Sequence, residues 1–95
     1  MAKLSSPGSI LVVDDEKIIR DGCSRILAKE GYTVITAGSG EEALERYDRE
    51  PFDLILLDVK MPGMGGIETL RKLKEIDPGL TVLIVTGYPS TETAV

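Results

Sequence analysis

The stretch DLILLDVKMPGMGG, residues 53–66, carries the pattern that decides the fold. Four consecutive apolar residues, 54–57, lead directly into Asp58, and a loop rich in Met, Pro and Gly follows. A short continuous apolar run is typical of a strand that is covered on both faces. Because sites in parallel sheets form at the carboxyl ends of strands, this pattern predicts a polar site that contains Asp58.

Three further segments have strand character. Residues 10–13 and 82–85 are continuous apolar runs, and residues 32–37 are rich in β-branched residues.

Helical patterns lie between the strands. Residues 16–30 predict an amphipathic helix that ends at Gly31, Ser39 and Glu42 predict a capping box for a second helix, and Ile67, Leu70 and Leu73 mark a third. The turn Asp77-Pro78-Gly79 closes the third helix. The alternation predicts an α/β fold, a doubly wound parallel sheet with helices on both faces.

Composition limits the chemistry that is available. The chain has 95 residues, a net charge of −5, one cysteine and no histidine. One domain is expected, with residues 1–8 as a flexible tail and 9–95 as the folded part. A lone Cys23 excludes an internal disulfide, and the absence of histidine excludes Ser-His and Cys-His nucleophile pairs. An acidic chain without a long apolar run predicts a cytoplasmic protein that binds neither nucleic acid nor a membrane directly.

Acidic residues follow two of the predicted strands. Asp14, Asp15 and Glu16 come after the first strand and Asp58 after the third. A single aspartate here would often be an N-cap or a turn residue, so either Asp14 or Asp15 is a candidate cap for the first helix. Two unit charges 4 Å apart repel by about 4 kcal/mol at an effective dielectric of about 20. A convergence of carboxylates therefore predicts either that some of them are protonated or that a cation is bound. Oxygen ligands alone at an open, loop-lined corner favour Mg²⁺.

Aspartate beside Mg²⁺ also has nucleophilic chemistry. A carboxylate attacks phosphorus to give an aspartyl phosphate, and phosphoryl transfer needs mainly positioning and neutralisation of charge. The Gly-rich loop after Asp58 leaves room for a phosphate donor. Thr86, at the end of the fourth strand, offers a hydroxyl to a phosphoryl oxygen.

The segments ILVVDDE, DLILLDVKMPGMGG and VLIVTGY, in this order and spacing, resemble the receiver domains of bacterial two-component response regulators over residues 9–95. The resemblance implies a flavodoxin-like sheet in which a sensor kinase phosphohistidine, or a histidine phosphotransfer protein, donates its phosphoryl group to Asp58. It implies that the acidic pair binds Mg²⁺, with Asp15 favoured as the direct ligand. The remaining implied roles are a metal-binding backbone carbonyl at Lys60, a switch hydroxyl at Thr86, and backbone N–H groups of Val59 and Gly87 that face the phosphoryl group.

The chain also departs from that pattern. Receivers have a fifth strand, a lysine after it and a last helix beside the first, and the sequence ends before these features. We therefore expect a sheet of order 2-1-3-4 in an incomplete receiver, with apolar surface exposed on the fourth strand and first helix. Self-association or reduced stability is the expected result. No output domain is specified.

Three alternatives belong to other functional classes. A degenerate receiver would only bind other proteins, which the intact acidic residues oppose and the missing lysine favours. A phosphatase of the haloacid-dehalogenase type uses an Asp-x-Asp pair, whereas Asp14 and Asp15 are adjacent. A flavodoxin-type module needs a Ser/Thr/Gly-rich phosphate loop, and the segment DDEK has the opposite charge.

Overall fold

The computed structural model describes residues 8–58 and 65–85. Within these residues strands and helices alternate as the sequence predicts. In chain order they are β1 (Ser9–Val13), α1 (Lys17–Lys29), β2 (Thr33–Ala37), α2 (Gly40–Arg49), β3 (Leu54–Asp58), α3 (Gly65–Ile76) and β4 (Val82–Val85).

All strand pairs are parallel, and the described part of the sheet has the order β2-β1-β3-β4. This confirms the predicted α/β class and strand order. The register aligns Val13 with Ala37 on one side and with Leu57 on the other. Because neighbouring strands end at nearly the same level, the residues that follow them share one edge of the sheet.

The hydrophobic core lies between the sheet and the pair α2 and α3. Side chains alternate along each strand, so one set of strand residues faces this core. That set includes Leu11 and Val13 of β1 and Ile55 and Leu57 of β3, all of them fully buried. Helix α2 adds Ala43 and α3 adds Leu73. Ile10 and Val12, on the other face of β1, are also buried. Because both faces are covered, the sequence of β1 is a continuous apolar run.

The end of α1 matches the prediction at Gly31. The N–H of Gly31 donates to the carbonyl of Ala28 at 3.0 Å, and the N–H of Tyr32 donates to that of Leu27 at 3.2 Å. This pair of bonds defines a Schellman ending, which requires a left-handed residue. Gly31 has a φ of 100° and supplies it.

The predicted capping box of α2 is formed only in part. Ser39 is the N-cap, and its hydroxyl accepts from the N–H of Glu42 at 3.1 Å. The carboxylate of Glu42 accepts from the N–H of Gly38 at 2.8 Å, whereas the box pattern places this bond at the N-cap itself. The bond to the Ser39 hydroxyl is thus the expected one, and the bond to the Glu42 carboxylate comes from the residue before the N-cap.

Helix α3 ends at the predicted turn. The N–H of Leu80 donates to the carbonyl of Asp77, and the N–H of Gly79 donates to the Asp77 side chain. The same carboxylate accepts from the hydroxyl of Tyr47 at 2.7 Å, which ties this turn to α2.

The other face of the sheet is covered less completely. Helix α1 packs against β1 and β2, and no residue of α1 is buried. Its predicted inner residues Ile19 and Ile26 are 40% and 64% exposed, and Leu83 of β4 is 54% exposed. The expected exposure of the first helix and fourth strand is thus confirmed for the described residues. None of the described helices is long and apolar enough to cross a membrane.

Candidate metal and phosphoryl site

Two aspartates meet because β1 and β3 are neighbours in register. Val13 pairs with Leu57, so the next residues, Asp14 and Asp58, follow side by side at the carboxyl edge of the sheet. Asp14 and Asp58 are buried, and Asp15 is exposed. One carboxylate oxygen from each of the three lies within 4.8 Å of the other two. The convergence predicted from the strand ends is therefore observed.

Asp14 is held at three atoms. Its N–H donates to the carbonyl of Ala37 at 3.1 Å, and its own carbonyl accepts from Nη1 of Arg20 at 2.8 Å. Its carboxylate oxygen Oδ1 accepts from the N–H of Glu16 at 2.9 Å. These bonds fix the start of the β1–α1 loop relative to both β2 and α1.

Helix capping does not account for the acidic pair. The N-cap of α1 is Glu16, which makes no side-chain capping bond, so the prediction that Asp14 or Asp15 caps this helix is wrong. The alternative turn role is found for Asp14, whose carboxylate accepts from the N–H two residues further along the chain. The bond from the Glu16 N–H positions the Asp14 carboxylate at the sheet edge instead. Glu16 itself is exposed and lies outside the group of three carboxylates.

Burial raises the pKa of the Asp14 carboxyl above its usual value of 3.8. The hydrogen bond from Glu16 acts in the opposite direction, and repulsion from Asp58 and then from Asp15 and Glu16 raises the pKa further. A bound cation would remove this repulsion, because it favours the charged carboxylates.

The donor set fits a hard divalent cation. All three side chains offer oxygen, which Mg²⁺ prefers, and only one of them is exposed. Mg²⁺ usually keeps several waters and takes only a few protein ligands, so one open side is what such a site needs.

An apolar recess adjoins the carboxylates on the α1 side. This cavity of about 20 Å³ is roughly large enough for one water molecule. Its apolar lining comes from the facing strands and from α1: Val12, Val13, Leu56, Val85, Ile19 and Cys23. Apolar side chains therefore lie against one side of Asp58.

Four of the predicted site residues cannot be placed. Val59, Lys60, Thr86 and Gly87 lie outside the described residues, and the roles implied for them stay predictions. Sequence reasoning also missed a residue, Arg20. Its guanidinium binds a backbone carbonyl, and no sequence motif marks such a contact.

The family profile of the response regulator receiver domain matches residues 10–95. Among curated relatives, sporulation initiation phosphotransferase F of Bacillus subtilis is 46% identical over 79 residues, which are 83% of this chain and 64% of that protein. Transcriptional regulatory protein ZraR of Escherichia coli K12 is 46% identical over 86 residues, which are 90% of this chain and 20% of ZraR. The chain thus spans from about a fifth to just under two thirds of these relatives.

Solved structures agree with the sequence comparison. Response regulator TrrA from Thermotoga maritima, in complex with Mg²⁺ and BeF, superposes with a TM-score of 0.82 at 36% identity, covering 92% of this chain and 76% of that one. A complex of histidine kinase ThkA with TrrA gives a TM-score of 0.80 at 38% identity, covering 86% and 71%. Family profile, relatives and fold coincide, and the chain belongs to the response regulator receiver domain family.

Proposed function

We propose that this chain is a phosphoacceptor switch of a two-component phosphorelay, in which Asp58 takes a phosphoryl group from the phosphohistidine of a sensor kinase or histidine phosphotransfer protein. The observation that carries the proposal is the convergence of Asp14, Asp15 and Asp58, whose carboxylate oxygens lie within 4.8 Å of one another at the carboxyl edge of the sheet. Structural caps and turns do not require three carboxylates at this separation.

The proposed transfer is a simple displacement at phosphorus. A carboxylate oxygen of Asp58 forms the new O–P bond, the N–P bond of the phosphohistidine breaks, and the imidazole nitrogen keeps the electron pair. When bound, Mg²⁺ neutralises the charge of the phosphoryl oxygens. The residues of this chain supply position: β3 presents Asp58 at its end, and Asp14 and Asp15 are the side chains that would hold the metal with it.

The partner that we propose is a histidine kinase. TrrA, a receiver of similar fold, has been solved in complex with the histidine kinase ThkA. The chain would act as a signalling module that catalyses only its own phosphorylation and dephosphorylation, and not as an enzyme with a separate substrate. Thr86, the Lys60 carbonyl and the N–H groups of Val59 and Gly87 would complete the phosphoryl site, as the family resemblance implies.

Intact-protein mass spectrometry tests this function. The wild-type chain is incubated with Mg²⁺ and acetyl phosphate, and we expect one phosphoryl adduct that needs Mg²⁺ and is released by hydroxylamine, as an acyl phosphate is. Asp58→Asn should abolish the adduct, because the amide is not a nucleophile toward phosphorus.

Asp53→Asn is the matched control. Asp53 precedes β3, at the opposite end from Asp58, and its carboxylate accepts from the N–H of Ser9 at 2.8 Å, a role that the Asn oxygen can retain. This variant should form the adduct normally. If the wild type binds Mg²⁺ but forms no adduct, the chain is a degenerate receiver that serves as a protein-binding module.

We also propose that this chain associates with itself through the open face of the sheet. Leu83 and Val85 of β4 are 54% and 41% exposed, and the half-exposed Ile19 of α1 lines the same recess as Val85. A second copy would cover these apolar side chains, since contiguous exposed apolar surface promotes association. The unpaired edge of β4 in the described sheet gives the second copy a strand to pair with.

A further inference from the structure

Arg20 connects α1 to the acidic corner. It lies in the first turn of α1 and is half-buried, and its Nη1 donates to the carbonyl oxygen of Asp14 at 2.8 Å. A hydrogen bond from a charged donor is shorter and about twice as strong as a neutral one. This hydrogen bond links the two ends of the short loop between β1 and α1, and that loop contains Asp15.

The guanidinium also fits closely against the β2–α2 connection. A Cβ atom at position 38 would lie 3.2 Å from Nη1 of Arg20 and 3.6 Å from its Cζ, so glycine leaves the space that the guanidinium uses. Gly38 does not need a positive φ, because the described glycines with positive φ are Gly8, Gly31 and Gly65. Glycine at position 38 therefore lets the guanidinium approach this connection without the small shift that a Cβ would require.

The contacts of Arg20 differ from those of a surface arginine. Like the exposed Arg25, it takes part in none of the ion pairs found among residues 8–58 and 65–85. Its described hydrogen bond goes instead to the backbone of a residue in the acidic group.

We propose that Arg20 is a positioning residue for the metal and phosphoryl site: it fixes the backbone at Asp14, and through it the carboxylates of Asp14 and Asp15, without touching the ligand. The proposal rests on the function proposed above. Mg²⁺ demands near-ideal octahedral geometry, so small displacements of its ligands weaken binding. Groups that orient metal ligands commonly change metal affinity by about 10-fold to 100-fold when removed.

The test compares Arg20→Met, Arg20→Lys and Arg25→Met. Methionine keeps an unbranched apolar stem without donors, and Arg25 is an exposed arginine of the same helix that serves as the matched control. Mg²⁺ affinity is measured by isothermal titration calorimetry, and phosphorylation by acetyl phosphate is measured across Mg²⁺ concentrations. All measurements are made well below the melting temperature of each variant.

We expect Arg20→Met to raise the Kd for Mg²⁺ about tenfold, Arg20→Lys to raise it less, and Arg25→Met to leave it unchanged. The phosphorylation rate of Arg20→Met should approach that of the wild type at saturating Mg²⁺, because Asp58 is intact. A merely structural role would lower the melting temperature without changing the Mg²⁺ dependence.

An unchanged Kd in Arg20→Met, or an equal change in Arg25→Met, overturns the positioning role while the phosphoacceptor function stands. A wild-type chain that neither binds Mg²⁺ nor forms the adduct overturns both. The two failures are therefore distinguishable.

Gly38→Ala gives a second test should Arg20→Met fold poorly. The added methyl group would lie 3.2 Å from Nη1 of Arg20, so the guanidinium must shift slightly while the backbone stays unstrained. Gly38→Ala should therefore raise the Kd for Mg²⁺ slightly when Arg20 is present and less in the Arg20→Lys background. An equal rise in the Kd in the wild-type and Arg20→Lys backgrounds would contradict the proposal.

Discussion

Asp14 is the residue whose environment departs most from that of a surface aspartate. It is buried at the sheet edge, close to the carboxylates of Asp58 and Asp15. Burial is the largest cause of its raised pKa, and the bond from the Glu16 N–H offsets part of that effect. The folded chain without metal therefore keeps a carboxylate in a place that disfavours its charge.

Replacing Asp14 by Asn should stabilise the metal-free chain at neutral pH. A carboxyl whose pKa is raised on folding destabilises the folded state once it is ionised, so its unfavourable contribution appears as the pH rises above 3.8 and through the raised pKa. The stability difference between Asp14→Asn and wild type should thus be largest at neutral pH, shrink as the pH falls through the raised pKa and vanish below 3.8. Urea unfolding in EDTA, followed by circular dichroism, measures it.

Magnesium supplies the internal control for this variant. Saturating Mg²⁺ should stabilise the wild type by binding the folded state, and should stabilise Asp14→Asn less. If the stability difference between Asp14→Asn and the wild type grows on acidification in EDTA, the Asp14 carboxyl does not have a raised pKa in the folded chain.

At the residue scale, the sequence predicted the three carboxylates of the site but not the hydrogen bond from Arg20 that holds the backbone at Asp14. Asp14, Asp15 and Asp58 were recognised because each follows a predicted strand, and parallel strands end at one edge. Arg20 was missed because its acceptor is a main-chain carbonyl, which every residue offers. Only the folded loop shows that this carbonyl is within reach of Nη1.

Helix ends were predicted with an error of about one residue. Gly31 was recognised because glycine alone adopts a positive φ without strain, and its φ of 100° confirms this reasoning. The partner of Glu42 was not predicted correctly, since its flexible side chain reaches either of two adjacent N–H groups. Patterns therefore locate a helix end well, but they identify its second hydrogen bond less reliably.

Ser39→Ala should destabilise the chain by about 1 kcal/mol, because the N–H of Glu42 loses its acceptor at the start of α2. Ser39→Asp should retain most of the stability, since aspartate is an equally good N-cap. Urea unfolding of the three proteins measures the difference.

Ser24→Ala is the control for this cap. Ser24 lies inside α1, where alanine has the higher helix propensity, so this variant should be as stable as the wild type or slightly more stable. A similar loss of stability from both serines would show that the cap is not the cause.

At the scale of the whole molecule, the two faces of the sheet differ in coverage. The face toward α2 and α3 is covered by a hydrophobic core in which Leu57 and Leu73 are fully buried. Among the described elements, the other face has only α1, over β1 and β2, and β4 is exposed there at Leu83 and Val85. Strand order was predictable from the alternation of elements and the resemblance. The lateral position of α1 was not, because β1 is apolar on both faces and its sequence does not specify which part of the sheet a helix covers.

Self-association through this open face should depend on concentration. Sedimentation velocity from low to high micromolar concentration should show dimers or larger species, and Leu83→Lys should reduce them, because a charge at the centre of the interface would be buried without a partner. Ile67→Lys is the matched control: Ile67 is 65% exposed on α3, on the opposite side of the sheet. A monomer at all concentrations, or equal loss of association in both variants, would contradict the proposed interface.

β4 ends level with Asp58, because Val85 pairs with it in the sheet. A change in the fraction of dimer on phosphorylation would therefore show that the open face is coupled to the acidic site.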